Sequence, residues 1–358
     1  VTSSYWKANL RGHRGLAATV GVWFVLTSLA GAILLFRTSQ PLPADGRAMQ
    51  AASQTMLPID DMLRRAAALH PELQLYRLLL PRAPQEPAWA KYWVAGNEEL
   101  VVCLNAQDAE PCGERLSDSG ILATVSAWHG GSFWGRLGAR CLGVLAALAL
   151  VLMLLGLRLE RRFGAQSWRD RLWPQRHLRG LRYLRNLHRV VAVWACLPLT
   201  LMILGGLTLE FPRTALATLQ TVLMAPPDVI KQAGPPGPVA PGAAVAMARA
   251  MLPGWNVDFI DIPPAGAPKP YYGIRLLPED RSQVEIPAFV TIDRRNGSTE
   301  AIMPGPAEIT RAWIRALHRG EVFGPSYRVI LVLLGLSPAV LAGLGWSMAR
   351  RRQRNQQG

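Results

Sequence analysis

The stretch 11–36, RGHRGLAATVGVWFVLTSLAGAILLF, has a counterpart at 186–211, NLHRVVAVWACLPLTLMILGGLTLEF. Each opens on His-Arg, at His13-Arg14 and His188-Arg189, and runs into about 20 apolar residues, the helical length that crosses a hydrocarbon core of roughly 30 Å. A second pair of runs matches more closely. AWHGGSFWGRLGAR at 127–140 and ALHRGEVFGPSYR at 316–328 both read His-x-Gly-x-x-x-Gly, with Phe133 or Trp134 and Phe323 just before the second glycine. His13 and His188 lie 175 positions apart, and His129 and His318 lie 189 apart. The chain therefore reads as one plan used twice, with about a dozen extra residues in the second copy.

Half of the residues are hydrophobic while the net charge is +15, which excludes an ordinary soluble domain. Four transmembrane helices are expected, at 16–36, 137–157, 190–209 and 329–349. Ten Arg lie between 158 and 189 against only Glu160 and Asp170, ARRRQR stands at 349–354, and Lys7, Arg11 and Arg14 precede the first span. Because basic flanks stay on the cytoplasmic side, both termini and the central loop are expected there, and the segments around 37–128 and 211–317 on the periplasmic or external side. The basic run sits between two spans, so it reads as topology and lipid contact and not as a nucleic-acid surface. The apolar run of the first span exceeds a signal-peptide core, so an uncleaved anchor is expected.

The expected organisation follows: N-terminus and first span at 1–36, a periplasmic module at 37–128, the second span at 129–157 and a basic cytoplasmic loop at 158–187. The third span is at 188–210, a second periplasmic module at 211–317, the fourth span at 318–349 and a cytoplasmic tail at 350–358. Within the first module Pro58 opens an amphipathic helix, IDDMLRRAAALH, followed by strand-like runs at 73–80, 91–96 and 98–105. Within the second, PGAAVAMARAML is the helix, strands follow at 256–262, 271–277 and 286–293, and the turn signal Asn296-Gly297 ends the run. A helix followed by an antiparallel sheet implies a small α+β domain in each half. The Pro/Gly-rich segment 225–242 reads as a linker.

A His beside hydrocarbon must find a partner to offset its desolvation, and neutral imidazole is the commonest axial ligand of haem iron. His13 and His129 are separated by a whole bilayer, since a span of about 20 residues rises about 1.5 Å per residue, so they cannot share one iron; His13 pairs with His188 and His129 with His318. His70 aligns with Leu252 and His177 has no counterpart, which sets both apart. Haem propionates favour Arg donors, for which Arg14 and Arg189 are placed at the inner pair and Arg136, Arg140, Arg319 and Arg328 at the outer. Gly130, Gly131, Gly135, Gly320 and Gly324 allow close approach of backbone or ring. Alternatively, span-end arginines snorkel to phosphates and the glycines serve helix packing. Without Cys-x-x-Cys-His, any haem is non-covalent. There is no His-Glu-x-x-His, P-loop or strand-associated Gly-x-Gly-x-x-Gly, so electrons must come from a partner or from quinol. Cys103 and Cys112 are placed to form a disulfide in an oxidising compartment, while Cys141 and Cys196 pack within spans. Most of the twelve Trp read as interfacial anchors, and Pro198 and Pro338 as kinks in the third and fourth spans.

The order of span, helix-plus-strand module and span, used twice, with His-Arg before the odd spans and His-x-Gly-x-x-x-Gly before the even ones, resembles the PepSY-associated transmembrane proteins. Within them it is most similar to the FoxB-type inner-membrane siderophore reductases of Gram-negative bacteria. The resemblance covers essentially the whole chain. It implies an integral membrane fold of four transmembrane α-helices in two repeats, each with a periplasmic α+β PepSY-like module. It also implies two non-covalent haem b groups and reduction of a ferric siderophore at the periplasmic face, with quinol or a cytoplasmic reductase as donor and periplasmic iron-uptake proteins as partners. Two other readings stay open: a non-enzymatic PepSY protein that regulates or holds a peptidase, and a haem reductase of another metal acceptor.

Overall fold

A computed structural model describes residues 2–36, 56–83, 86–94, 98–116, 120–163, 167–224, 226–264, 266–268, 270–279 and 284–357. The opening of the first expected module, 37–55, lies outside the described residues. Two compact units are present: residues 1–38, 121–215 and 314–358 form a helical unit, and 39–120 with 216–313 form a sheet unit.

In the helical unit, α1 (Thr2–Leu34), α4 (Gly135–Phe163), α6 (Gly180–Glu210) and α10 (Gly324–Gln357) are each long and apolar enough to cross a membrane. The protein is a membrane protein. Large apolar side chains, among them Val22, Leu154, Leu197, Leu201 and Leu333, point outward, as lipid solvation requires. Helices α6 and α10 run through Pro198 and Pro338. Around the bundle α1 packs on α4 and α10, and α6 packs on the same two helices. Helices α1 and α6 are thus the diagonal pair, facing each other across the interior. Close approach of α10 to α1 depends on Gly335, where an added Cβ would lie 3.0 Å from Ala32 Cβ.

The sheet unit follows the apolar patterning of the sequence. Helix α2 (Ile59–Leu69) precedes β1 (Gln74–Leu79), β2 (Ala88–Trp93), β3 (Glu99–Leu104) and β4 (Pro111–Leu116). Further along lie α7 (Pro212–Leu223), β5 (Asp228–Gln232), α8 (Pro241–Met251), β6 (Trp255–Asp261), β7 (Tyr271–Pro278), β8 (Ala288–Asp293) and β9 (Thr299–Met303). One antiparallel sheet of nine strands results, in the order β4-β3-β2-β1-β6-β7-β8-β9-β5. The alternate residues Leu78, Ala90, Tyr92, Val102, Leu104, Ile260, Ile274, Leu276, Val290 and Ile292 are buried with Met62, Ala66, Ala244, Val245 and Ala248 of the two helices. The buried Tyr92 hydroxyl donates to the Ala66 carbonyl at 2.7 Å, so its polar end is satisfied.

Three strands depart from the sequence reading. β5 lies inside the stretch expected to be a linker; all its residues are exposed and it is held by its ladder to β9. β4, PCGERL, has no apolar alternation, but the Cys103–Cys112 disulfide and its pairing with β3 fix it. β9 is too short to stand out from its turn. The strands of the two expected modules also meet: β1 pairs with β6, setting Arg77 opposite Asp261. Asp60 on α2 reaches across to accept from the Gly242 amide in the first turn of α8 at 2.8 Å, capping the helix of the other half.

Glu99 links three strands, accepting from Tyr76 on β1 at 2.6 Å and Lys91 on β2 at 3.0 Å. Desolvation pushes its carboxyl up, but these hydrogen bonds, with the charges of Lys91 and Arg77, outweigh it and hold the group below the ordinary glutamate value of 4.5. A lowered folded value means stability that is complete above 4.5 and lost as pH falls through the lower folded value. Protection of the β2 and β3 amides against hydrogen exchange, corrected for the intrinsic rate at each pH, is therefore expected to fall in acid, and Glu99→Gln to flatten that acid dependence.

Candidate functional site

Each site histidine is placed by a helix terminus or a span. His129 is the last residue of α3 (Ile121–His129), and His318 is the next to last of α9 (Pro306–Arg319). After each, a glycine in the left-handed region ends the helix, Gly131 (φ 70°) and Gly320 (φ 66°), and a second, Gly135 (φ 56°) and Gly324 (φ 69°), swings the chain into α4 and α10. The His-x-Gly-x-x-x-Gly motif is thus a helix stop and a helix start that hold the imidazole at the mouth of the bundle. His13 and His188 instead lie inside α1 and α6, the diagonal helices.

The structure brings the four rings together as two pairs. The ring centres of His13 and His188 are 6.5 Å apart with planes at 88°, and those of His129 and His318 are 6.1 Å apart at 38°. Two imidazoles on opposite sides of one metal ion, each bonded at about 2.0–2.1 Å through a nitrogen about 1.1 Å from its ring centre, stand about 6.3 Å apart. Both pairs therefore fit one ion held between two rings.

The Nδ1 atoms turn away from the partner ring to backbone carbonyls on neighbouring helices. His13 Nδ1 donates to Leu152 O at 3.3 Å, His129 Nδ1 to Thr27 O at 2.9 Å and His188 Nδ1 to Leu341 O at 3.2 Å. His318 differs: its ring faces the Met202 carbonyl, but Nδ1 is buried without a hydrogen-bond partner. A proton held on Nδ1 leaves the Nε2 lone pair as the metal-binding position, the arrangement that orients ligating histidines generally. The acceptors keep the intervals of their histidines: Thr27 and Met202 are 175 apart, and Leu152 and Leu341 are 189 apart.

The expected arginine donors are placed less uniformly. Arg14, Arg136 and Arg140 are exposed, and exposed Arg319 lies 3.7 Å from Glu321. Arg328 Nε donates to Gly320 O at 3.0 Å, next to Tyr327 Oη on Leu317 O, so it caps the end of α9. Arg189 is well buried, 3.8 Å from Glu160 and donating to the Asp170 carbonyl, yet its Nε has no hydrogen-bond partner. Glu160 also meets Arg171 at 3.7 Å, joining α4, α6 and the short helix α5 (Trp168–Leu172). Asn9, one turn before His13 on the same face of α1, likewise buries an Nδ2 without a partner. Beside the outer pair Trp23 stacks on Trp128 at 4.7 Å, with Trp134 edge-on at 6.1 Å. His70 stays in the sheet unit, bonded to Glu114 at 3.1 Å and edge-on to Tyr92.

Sequence reading did not find the four carbonyls, which leave no mark in residue type. It also passed over Asn9 and the glycines Gly31, Gly156, Gly206 and Gly345, each four residues after one of those carbonyls. A signal for the glycines existed, since Gly31 to Gly206 is 175 positions and Gly156 to Gly345 is 189.

Comparison with known proteins gives one family: the model described as PepSY-associated TM region matches residues 10–352. No curated protein matches the chain.

Proposed function

The chain belongs to the PepSY-associated transmembrane family, and from that premise we propose that it is a dihaem b oxidoreductase of the bacterial inner membrane, passing electrons across the bilayer to Fe(III) held by a siderophore. The observation that carries the reading is the spacing of the two histidine pairs, 6.5 and 6.1 Å, each matching one ion between two imidazoles. Equal intervals between histidines, acceptor carbonyls and glycines support two structural repeats. The arginines of 158–189 and 349–354 support a cytoplasmic location for the His13/His188 end, and the disulfide supports a periplasmic one for the sheet unit.

Haem b, when bound, supplies reversible one-electron chemistry. His13 and His188 would hold one group and His129 and His318 the other, each presenting Nε2, with a backbone carbonyl fixing Nδ1 of His13, His129 and His188. Asn9 Nδ2, a buried donor without a hydrogen-bond partner, and Arg189, whose Nε makes only a 3.8 Å ion pair with Glu160, would receive the acidic edge of the inner group. Gly131 and Gly320 hold the outer rings at the mouth of the bundle, nearest an acceptor arriving from the periplasm. Reduction releases the iron because hard oxygen donors bind Fe(II) far less firmly than Fe(III). Quinol or a cytoplasmic reductase would be the donor.

Stopped-flow mixing of the reduced holoprotein with a ferric trihydroxamate, in the presence of a ferrous-selective chromogenic chelator, tests the reading. The expected result is reoxidation of the protein with one Fe(II) trapped per electron lost. A reduced spectrum that persists with the ferric chelate but collapses with cupric ion would assign a different acceptor. Persistence with both would remove the reductase reading.

A further inference from the structure

Four helix glycines in the spans have no part in the turns that place the histidines. Gly31, Gly156, Gly206 and Gly345 each follow, by four residues, the carbonyl that faces a site histidine: Thr27, Leu152, Met202 and Leu341. In an α-helix the space beside carbonyl i belongs to the side chain at i+4, which is why Ser and Thr there bond back to it. With glycine at i+4 that space is empty, and the carbonyl can accept a second hydrogen bond beside its helical one. The imidazoles occupy this space. A Cβ on Gly31 would lie 2.7 Å from His129 Cε1, one on Gly206 3.3 Å from His318 Cε1, and one on Gly156 3.4 Å from His13 Cε1. At Gly345 an added Cβ meets nothing within 4 Å, so His188 reaches Leu341 O from another side.

Resting on the dihaem reading, we propose that these glycines are positioning residues: Gly31 for the outer cofactor and Gly156 for the inner each open a backbone carbonyl to Nδ1–H of a histidine and so aim its Nε2 at the metal, and Gly206 leaves the space that the His318 ring occupies at the outer one. Helix packing alone would not put the same residue one turn after all four of these carbonyls. Gly205 supports the outer arrangement, since its added Cβ would lie 3.4 Å from His318 Nδ1. The clearances rank the positions. At Gly31 the ring must move by several tenths of an ångström, breaking its 2.9 Å bond to Thr27 O; at Gly206 and Gly156 a smaller shift suffices; at Gly345 none is needed.

Single Gly→Ala variants, purified from haem-replete cells, test this by haem retained per chain and by the ferric low-spin resonance of each site. Losing an orienting group from a ligand generally weakens metal affinity about 10–100-fold. Gly31→Ala is expected at that level, with loss confined to the outer haem; Gly206→Ala and Gly156→Ala to lose a few-fold at the outer and inner haem respectively; Gly345→Ala to match wild type. A double variant guards against misfolding: free imidazole, untethered to α3, should restore the outer haem equally in His129→Gly and in His129→Gly/Gly31→Ala. Retention of both haems by Gly31→Ala, or equal losses at all four positions, would overturn the glycine proposal while leaving the ligands standing. A wild-type protein without haem would remove both.

Discussion

His129→Ala and His318→Ala are each expected to leave the protein with about one haem per chain, and the same one, while His13→Ala and His188→Ala remove the other. The expectation follows from ring geometry. Rings 6.1 Å apart fit one ion between them, so on the proposed reading removing either would take away one of two ligands and half the positioning of the cofactor. The pairs also differ in a way that labels them. The planes of His13 and His188 stand at 88° and those of His129 and His318 at 38°. Near-perpendicular imidazoles leave the iron orbitals nearly degenerate, so the inner site should give the more anisotropic low-spin ferric resonance. That resonance should vanish in the His13 and His188 variants and persist in the other two. A double variant within one pair should look like either single, whereas one from each pair should hold no haem. If His13→Ala and His129→Ala removed the same signal, the pairing would be wrong.

The second large effect lies in the sheet unit. Asp258 on β6 has a side chain only 9 % exposed, held by Arg275 of β7 at 3.0 Å and by Arg82, just after β1, at 2.9 Å. Both guanidinium groups also reach Glu285, at 3.5 and 3.1 Å. This cluster crosses the seam where β1 and β6 join the two halves. Arg275→Leu would leave a buried carboxylate with only Arg82, whose side chain is 42 % exposed and screened by solvent. Breaking a buried pair on one side costs about 3–5 kcal/mol; with Arg82 remaining, a loss of about 2–3 kcal/mol is expected. Adding Asp258→Asn should recover most of it, because the uncompensated charge is then gone. Proteolysis within 254–294 across a urea series measures both, and equal midpoints for the single and double variants would contradict the account.

Much of this architecture could be read before any coordinates. Apolar runs of about 20 residues have one solution in a bilayer, so the four spans followed from length alone. Periodicity separated α2 and α8 from the strands between them, and the interval between histidines singled out the four that the structure pairs. The rest was hidden for identifiable reasons. β5 and β4 lack apolar alternation because β5 is exposed throughout and β4 is pinned by Cys112; β5 takes its order from β9, distant in sequence, and β4 from the disulfide and its ladder to β3. Nothing local in LQLYRLLL or NVDFIDI says that β1 will pair with β6 and fuse two expected domains into one sheet. Arginine placement showed the basic end of the bundle, but not that Arg189 would be engaged by Glu160 or Arg328 by Gly320 O. The carbonyls that orient the rings belong to Thr, Leu, Leu and Met, so only the glycines one turn later could have pointed to them.

The central claim is that one iron lies between each pair of rings. Its most direct test is the haem content and reduced-minus-oxidised spectrum of the full-length protein purified from haem-replete cells. The account predicts two b-type haems per chain, both low-spin in the ferric state, released by acid-acetone as non-covalent groups. Protein that folds and inserts but carries no b-type spectrum would contradict it.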